Sequence, residues 1–289
     1  MRHTHSIVGG MLYTFLISAT ALAQADPPAQ PPPLRALLVL GGCCHDYAVQ
    51  KDLLKEGIEA RAKVTADIIY SPDSSTAPPL AIYGNLDYAA GYDVVIHDEC
   101  ASDIKDRAVV EGVLAPHRAG LPAVNLHCAM HSYRTAPDVK DPVQPGTGES
   151  LWFDYLGVQS SGHGPQKPIA ITLIDKTHPA VTGLEDWTTI KEELYNNIVV
   201  RDGTHVLARG VQEPNDRPNF TDCAVVWTNE YGDKKARVFS TTIGHNNETV
   251  ADPRYLDLVT RGLLWVCGKL GDSGEPMDGY AAPKPRPGI

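Results

Sequence analysis

The stretch LRALLVLGGCCHDYAVQK (Leu34–Lys51) sets the reading of the chain. Leu34–Leu40 is an apolar run of strand length that stops at Gly41-Gly42. A strand apolar on both sides is one covered on both faces, as in a parallel sheet flanked by helices. Just beyond it, Gln50–Ala62 carries apolar residues at helical spacing. A strand, a glycine turn and a helix form the opening unit of an α/β fold.

The alternation continues downstream. Lys63–Tyr70, Tyr92–His97, Pro122–His127 and Ile169–Ile174 read as further strands, with a helix over Asp103–His117. In the second half, Leu194–Val200 and His205–Ala208 read as strands. Cys223–Trp227 and Arg237–Thr242 read as the arms of a hairpin turning at Glu230-Tyr231-Gly232-Asp233. Tyr255, Leu258, Val259, Leu263 and Val266 recur at helical spacing and make Pro253–Leu270 a closing amphipathic helix. The expected fold class is therefore α/β with a mostly parallel central sheet and a C-terminal hairpin elaboration.

Both ends differ from this body. Arg2, His3 and His5 precede the apolar run Met11–Ala23, and Ala21-Leu22-Ala23 has the small-x-small pattern of a signal-peptidase site. Residues 1–23 read as a signal peptide, 24–33 as a proline-rich linker, 34–270 as one folded domain and 271–289 as a Pro/Gly-rich tail. The mature chain is expected to be exported, periplasmic or extracellular. No stable membrane anchor is expected after cleavage, because the apolar run is short for a bilayer. An uncleaved N-terminal anchor is the alternative. The net charge of −10 is dispersed, which excludes a nucleic-acid partner, since that requires clustered Lys and Arg. Two sequons, at Asn219 and Asn247, matter only in a glycosylating host.

In an open parallel α/β sheet, ligands bind beyond the carboxyl ends of the strands. That edge collects Cys43, Cys44, His45 and Asp46 after the first strand, and His97 to Cys100 after the third. It also collects His127, Cys128 and His131 after the fourth, and Gly244-His245 after the last. A functional cluster including His45, His127 and His245 is expected there, with His97 and His117 as capping or filling residues. The six cysteines of an exported chain allow disulfides. Cys44 with Cys100 or Cys128 is the expected bridge, ahead of a vicinal Cys43–Cys44 bridge. Cys223 and Cys267 are expected to be buried and reduced.

Three chemistries suit this edge. A nucleophile at Cys128 would need small residues two positions to either side, and Leu126 and Met130 stand there. Imidazoles and carboxylates suit a divalent transition metal, zinc, manganese or iron. Metal-free acid–base work suits the histidines together with Glu192 and Glu193, whose bland alternative is a solvated helix end.

The segments GGCCHDYAVQK (Gly41–Lys51), YDVVIHDE (Tyr92–Glu99), NLHCAMHSYR (Asn125–Arg134), HPAVTGL (His178–Leu184), EELY (Glu192–Tyr195) and ARVFSTTIGHNNE (Ala236–Glu248) together resemble the ThuA-like (trehalose-utilisation) family. That family lies within the class I glutamine amidotransferase-like superfamily. The resemblance implies a flavodoxin-like three-layer sandwich, a pocket at the carboxyl edge of the sheet and a link to sugar catabolism beside 3-keto-sugar chemistry. By position it implies His45, His127, Glu193 and His245 as catalytic residues. Asp46, His131, His163 and Tyr195 complete the expected site as substrate-binding residues. The expected function is a carbohydrate-active enzyme that cleaves or isomerises a 3-keto-glycoside, with a small carbohydrate as its partner. A non-catalytic sugar-binding protein, with Trp152, Phe153 and Tyr155 as a stacking wall, is the alternative, and a cysteine hydrolase at Cys128 the third.

Overall fold

The computed structural model describes residues 1–3, 5, 9, 30–212 and 222–282. The apolar run Met11–Ala23, most of the proline-rich linker, the sequon at Asn219 and residues 283–289 lie outside the described residues. The folded body belongs to the unit Pro31–Ile289.

Strand β1 (Leu34–Gly41) leads into helix α1 (Tyr47–Glu59) and strand β2 (Val64–Ser71). Strand β3 (Val94–His97), helix α2 (Arg107–Arg118) and strand β4 (Ala123–Leu126) follow. The start of α2 is set by Asp106, whose carboxylate accepts from the backbone N–H groups of Ala108 and Val109. A 3₁₀ turn (His127–His131) and a short helix α3 (Leu151–Leu156) come next. The second half is strand-rich: β5 (Val158–Gln159), β6 (His163–Lys167), β7 (Ala170–Leu173), β8 (Trp187–Thr188), β9 (Glu192–Tyr195), β10 (Val199–Val200), β11 (His205–Val211), β12 (Cys223–Tyr231) and β13 (Ala236–Thr241). Helices α4 (Asn247–Val250) and α5 (Pro253–Val266) end the α/β body.

The central sheet has nine strands in the order β2-β1-β3-β4-β13-β12-β11-β7-β8. The run from β2 to β13 is parallel, and the pairings beyond β13 are antiparallel. Period-two alternation along β1 builds both cores. Leu38 and Leu40 join Leu54, Ile58, Leu258 and Val259 on the α1/α5 side. Leu37 and Val39 join Val110, Val113, Leu114 and Trp152 on the α2/α3 side. The result is the three-layer α/β sandwich expected from the sequence, with β12 and β13 as the expected hairpin.

Several local readings change. Leu194–Val200 is not one strand, because Asn196 and Asn197 interrupt it. Asn196 Oδ1 accepts from the backbone of Ser161 and Gly162, and Asn197 Oδ1 from that of Ala224. Side chains that bond the backbone in this way compete with the sheet ladder. Glu192 and Glu193 lie in buried strand β9 rather than at a solvated helix end. Trp152, Phe153 and Tyr155 sit on α3 and are buried, and Trp152 Nε1 donates to the Ala129 carbonyl. They are core residues, not a stacking wall. The segment after Leu270 folds back on the body as far as residue 282. Lys63 N donates to Tyr280 O, and Leu270 bridges Pro276. Among the described residues, no helix is long and apolar enough to cross a membrane.

Candidate functional site

The site begins with the turn after β1. Gly41 and Gly42 both have positive φ, and a Cβ on Gly42 would stand 2.1 Å from the Cys100 carbonyl oxygen. Only glycine lets the turn lie this close to the loop after β3. The chain then passes through Cys44 at φ 81° and projects His45 over the sheet edge. His45 Nδ1 lies 3.3 Å from the carbonyl oxygen of His245, and Nε2 lies 3.0 Å from Cys128 Sγ.

His127 follows β4 with φ 35°. This strained strand-to-helix position is the one that a nucleophile elbow reserves for its nucleophile. Here it holds an imidazole, and Cys128 lies one residue past it. The His127 ring is buried; its Nδ1 donates to the Thr242 carbonyl at 2.6 Å. Its Nε2 lies 3.3 Å from the Tyr195 hydroxyl and 3.6 Å from Glu193 Oε2. Gly244 has φ 132°, and a Cβ there would stand 2.7 Å from the Tyr255 hydroxyl oxygen and 3.5 Å from the His127 Cβ, so glycine lets the loop after β13 lie against both.

Alternation along β9 separates the two glutamates. Glu193 and Tyr195 face the cavity. Glu192 instead accepts the backbone N–H of His245 at 3.0 Å. Glu193 Oε2 is a hub: His127 Nε2 and His163 Nε2 lie 3.6 Å away and His245 Nδ1 3.4 Å away. Burial pushes the Glu193 carboxyl upward. The hydrogen bond and charge of His127, with the charges of His163 and His245, outweigh burial and hold it at about 2. Burial and then repulsion from His127 lower His245 to about 4, against the pull of Glu193. Burial drives His131 well below the usual imidazole value and Tyr195 well above the usual phenol value. At neutral pH, Glu193 is therefore a carboxylate and Tyr195 a hydroxyl donor.

His45, His131, His163, Glu193, Tyr195 and His245 line one cavity of about 340 Å³, with His127 in its floor against them. This volume is within the range of about 300–1,000 Å³ usual for small-molecule sites. Surface hollows of about 400 and 480 Å³ elsewhere hold no comparable convergence of histidine and carboxylate. His131 stacks on Tyr195 with centroids 4.1 Å apart and planes 4° apart, and His163 continues the stack at 5.6 Å. Asp46 is the one expected site residue outside this cavity. It stands exposed at the start of α1 and accepts from Asn247 Nδ2 at 2.8 Å. Gln166 joins the site without any signal in the sequence. Its Nε2 lies 3.1 Å from Glu193 Oε1 and 2.8 Å from His245 Nε2, which ties the carboxylate to the imidazole. Gln166 pairs with Glu193 across β6 and β9, a register that a sequence alone does not display.

The sulfurs correct one expectation. The bridge is the vicinal Cys43–Cys44 pair, not Cys44 with Cys100 or Cys128. Cys100 Sγ sits 3.4 Å from Cys43 Sγ and 3.0 Å from Cys128 Sγ, and neither Cys100 nor Cys128 is bridged. The contact with Cys100 and then burial raise the Cys128 thiol well above its ordinary value, which opposes a thiolate nucleophile. Cys223 is buried and Cys267 partly so, and neither is bridged. His97 and His117 are buried away from the cavity in a chain from Glu99 to the Leu121 carbonyl, as filling residues.

Comparison with known proteins agrees with this architecture. A putative ThuA-like protein from Parabacteroides merdae ATCC 43184 is similar at 21% identity, covering 86% of this chain and 97% of its own, with a TM-score of 0.58. A second, from Bacteroides uniformis ATCC 8492, is similar at 16% identity, covering 88% and 99%, also at 0.58. A putative GMP synthase protein from Thermoplasma acidophilum matches at 10% identity over 82% and 94%, with a TM-score of 0.47. No protein of curated function matches the sequence. The ThuA family profile, described as trehalose utilisation, matches residues 45–266, most of the chain and every expected site residue, and the chain belongs to that family.

Proposed function

We propose that this chain is a carbohydrate-processing enzyme that cleaves or isomerises a 3-keto-glycoside by acid–base chemistry in the cavity at the sheet edge. The observation that carries this reading is the Glu193 carboxylate, ringed by His127, His163 and His245 at 3.4–3.6 Å inside a small-molecule cavity. The family description, trehalose utilisation, supplies the sugar. An exported setting, inferred from the N-terminal residues, suits a chain that meets glycosides outside the cytoplasm.

A ketone at C3 acidifies the proton on C2. Glu193, held ionised, accepts that proton, and the electron pair of the C2–H bond moves into an enolate. His127, His245 and the Tyr195 hydroxyl polarise the carbonyl and stabilise the enolate oxygen. In cleavage, the enolate electrons expel the C1 oxygen, which takes a proton from an imidazole. In isomerisation, C2 is instead reprotonated on its opposite face, which inverts that centre. The polar rim and the His131–Tyr195–His163 stack suit a ring with hydroxyls on its edge and C–H groups on its face.

The test is turnover of a panel of 3-keto-glycosides by the wild type, Glu193→Gln and His127→Asn, with sugar affinity measured in parallel. Loss of kcat by roughly 10²–10⁴-fold in the variants, with affinity kept, supports the reading. Sugar binding without any turnover by the wild type makes the chain a binding protein and overturns it.

A further inference from the structure

We propose that the imidazoles of His45, His127 and His245 form a binding site for one divalent transition ion, for which zinc is the probe. This inference deepens the reading above, because it assigns the electrophile at the same cavity, and it rests on that reading for its catalytic meaning. One ring nitrogen from each residue falls in a group whose members all lie within 4.8 Å of one another. The ring centroids are 4.8 Å apart for His45–His127 and His45–His245, and 5.5 Å for His127–His245.

The outer contacts point the same way. A ligating histidine donates its other ring N–H to a carbonyl or carboxylate, which fixes the tautomer and turns the free lone pair toward the metal. His127 Nδ1 is tied to the Thr242 carbonyl and His45 Nδ1 to the His245 carbonyl, so each leaves Nε2 for the ion. His245 Nδ1 is buried and makes no hydrogen bond among the described residues, and its ionic neighbour is Glu193 Oε2 at 3.4 Å. That contact leaves the nitrogen's hydrogen-bonding capacity unmet, so the atom can take an ion beside the carboxylate. With His245 ligating through Nδ1, its Nε2 carries the proton, and Gln166 receives it by turning its amide oxygen inward.

The donor type selects the metal class. Imidazole suits zinc and its first-row neighbours, not calcium or magnesium. Tetrahedral zinc with Zn–N of about 2.0–2.1 Å places its ligand atoms about 3.3 Å apart. The nitrogens therefore close in by up to about 1.5 Å, a movement taken up by the loops that carry His45 and His245. Three protein ligands leave a fourth position for a substrate oxygen, as in catalytic zinc sites. Cys128 Sγ, 3.0 Å from His45 Nε2, is the competing donor, and the test separates it.

The experiment uses the full chain, purified without chelator or histidine tag. Metal content is measured first, then zinc binding by calorimetry, then the visible spectrum after cobalt loading. The expected result is one zinc per chain, weakened at least about 100-fold by His45→Ala and about 10-fold by Gln166→Ala, following the cost of lost outer contacts. The cobalt form should show tetrahedral d–d bands without thiolate charge transfer. Because His127→Ala risks misfolding, the loop variant His45→Ala carries the mutational test, and the cobalt spectrum needs no variant. No zinc uptake by folded wild type overturns the site, as does zinc lost with Cys128→Ser but kept with His45→Ala. The binding readouts need no substrate. Zinc bound without turnover keeps the site and overturns the enzyme, whereas turnover by a chain that binds no zinc does the reverse.

Discussion

His45 Nδ1 lies 3.3 Å from the carbonyl oxygen of His245, two hundred positions away in sequence, and Gln50 Nε2 donates to the same oxygen at 3.0 Å. The N–H of His245 is held from the other side by Glu192. The loop after β13 is thus gripped at both backbone atoms, once by helix α1 and its approach and once by β9. His45 both faces the cavity and helps to hold its neighbour in place.

Glu192→Ala removes the acceptor of the His245 N–H without touching the carboxylate in the cavity. The variant should lose about 1–3 kcal/mol, the usual cost of stranding a buried polar group. Urea unfolding midpoints measure the loss. An unchanged midpoint would show that this grip contributes nothing to stability.

The Cys43–Cys44 bridge encloses no intervening residue, so it restrains little of the unfolded chain. Cys43→Ser/Cys44→Ser should therefore change thermal stability only slightly. Peptide mapping under non-reducing conditions should find the fragment containing both cysteines lighter by two hydrogens. Cys100 and Cys128 should become alkylated once the protein is denatured. A cross-linked peptide joining residue 43 or 44 to 100 or 128 would contradict this pairing.

Two glycine substitutions should have opposite signs. Gly42→Ala sets a methyl group 2.1 Å from the Cys100 carbonyl at φ 104°, and should cost more than about 3 kcal/mol or prevent folding. Gly112→Ala, inside α2 with its nearest outside atom at 3.6 Å, should add up to about 1 kcal/mol through helix propensity. Thermal melts of the two variants beside the wild type check both signs.

Acid should destabilise the chain through His117 before the carboxylates titrate. Burial and then repulsion from His97 lower its pKa to about 3, against about 6.5 in the unfolded chain. The unfolded state therefore binds more protons between these values. The contribution is fully present above pH 6.5 and is lost progressively as pH falls toward 3. The expected slope from this residue is up to about 1.4 kcal/mol per pH unit. His178, lowered to about 4 by burial and by His205, adds in the same direction. Unfolding free energy measured from about pH 7 to about pH 5 should fall with acid, and His117→Gln should flatten the profile.

The parallel half of the sheet is legible because its strands are apolar on both faces and end at recognisable turns. The edge rule then gathers His45, His127 and His245 without any local motif. Glu193 follows from position in the family, and the alternation along β9 explains why it and Tyr195, and not Glu192, face the cavity. Gln166 is hidden, because its role depends on a pairing between two short strands outside the main sheet. Asp46 is drawn in by adjacency to His45, but the start of a helix turns it outward. A vicinal bridge ranks below a cross-loop one on the sequence, because adjacent cysteines seldom close a ring. The Cys44 backbone accepts the left-handed geometry that permits it here.

The last strand in sequence, β13, lies in the middle of the sheet between β4 and β12. During synthesis, β4 keeps an open edge until residues 236–241 have emerged. Its natural neighbour arrives after nearly the whole body has been made. The nascent chain must therefore keep an apolar strand edge from pairing with other chains for most of its translation. Truncation before β13 would leave two half-sheets, each with a sticky border, rather than a smaller working protein.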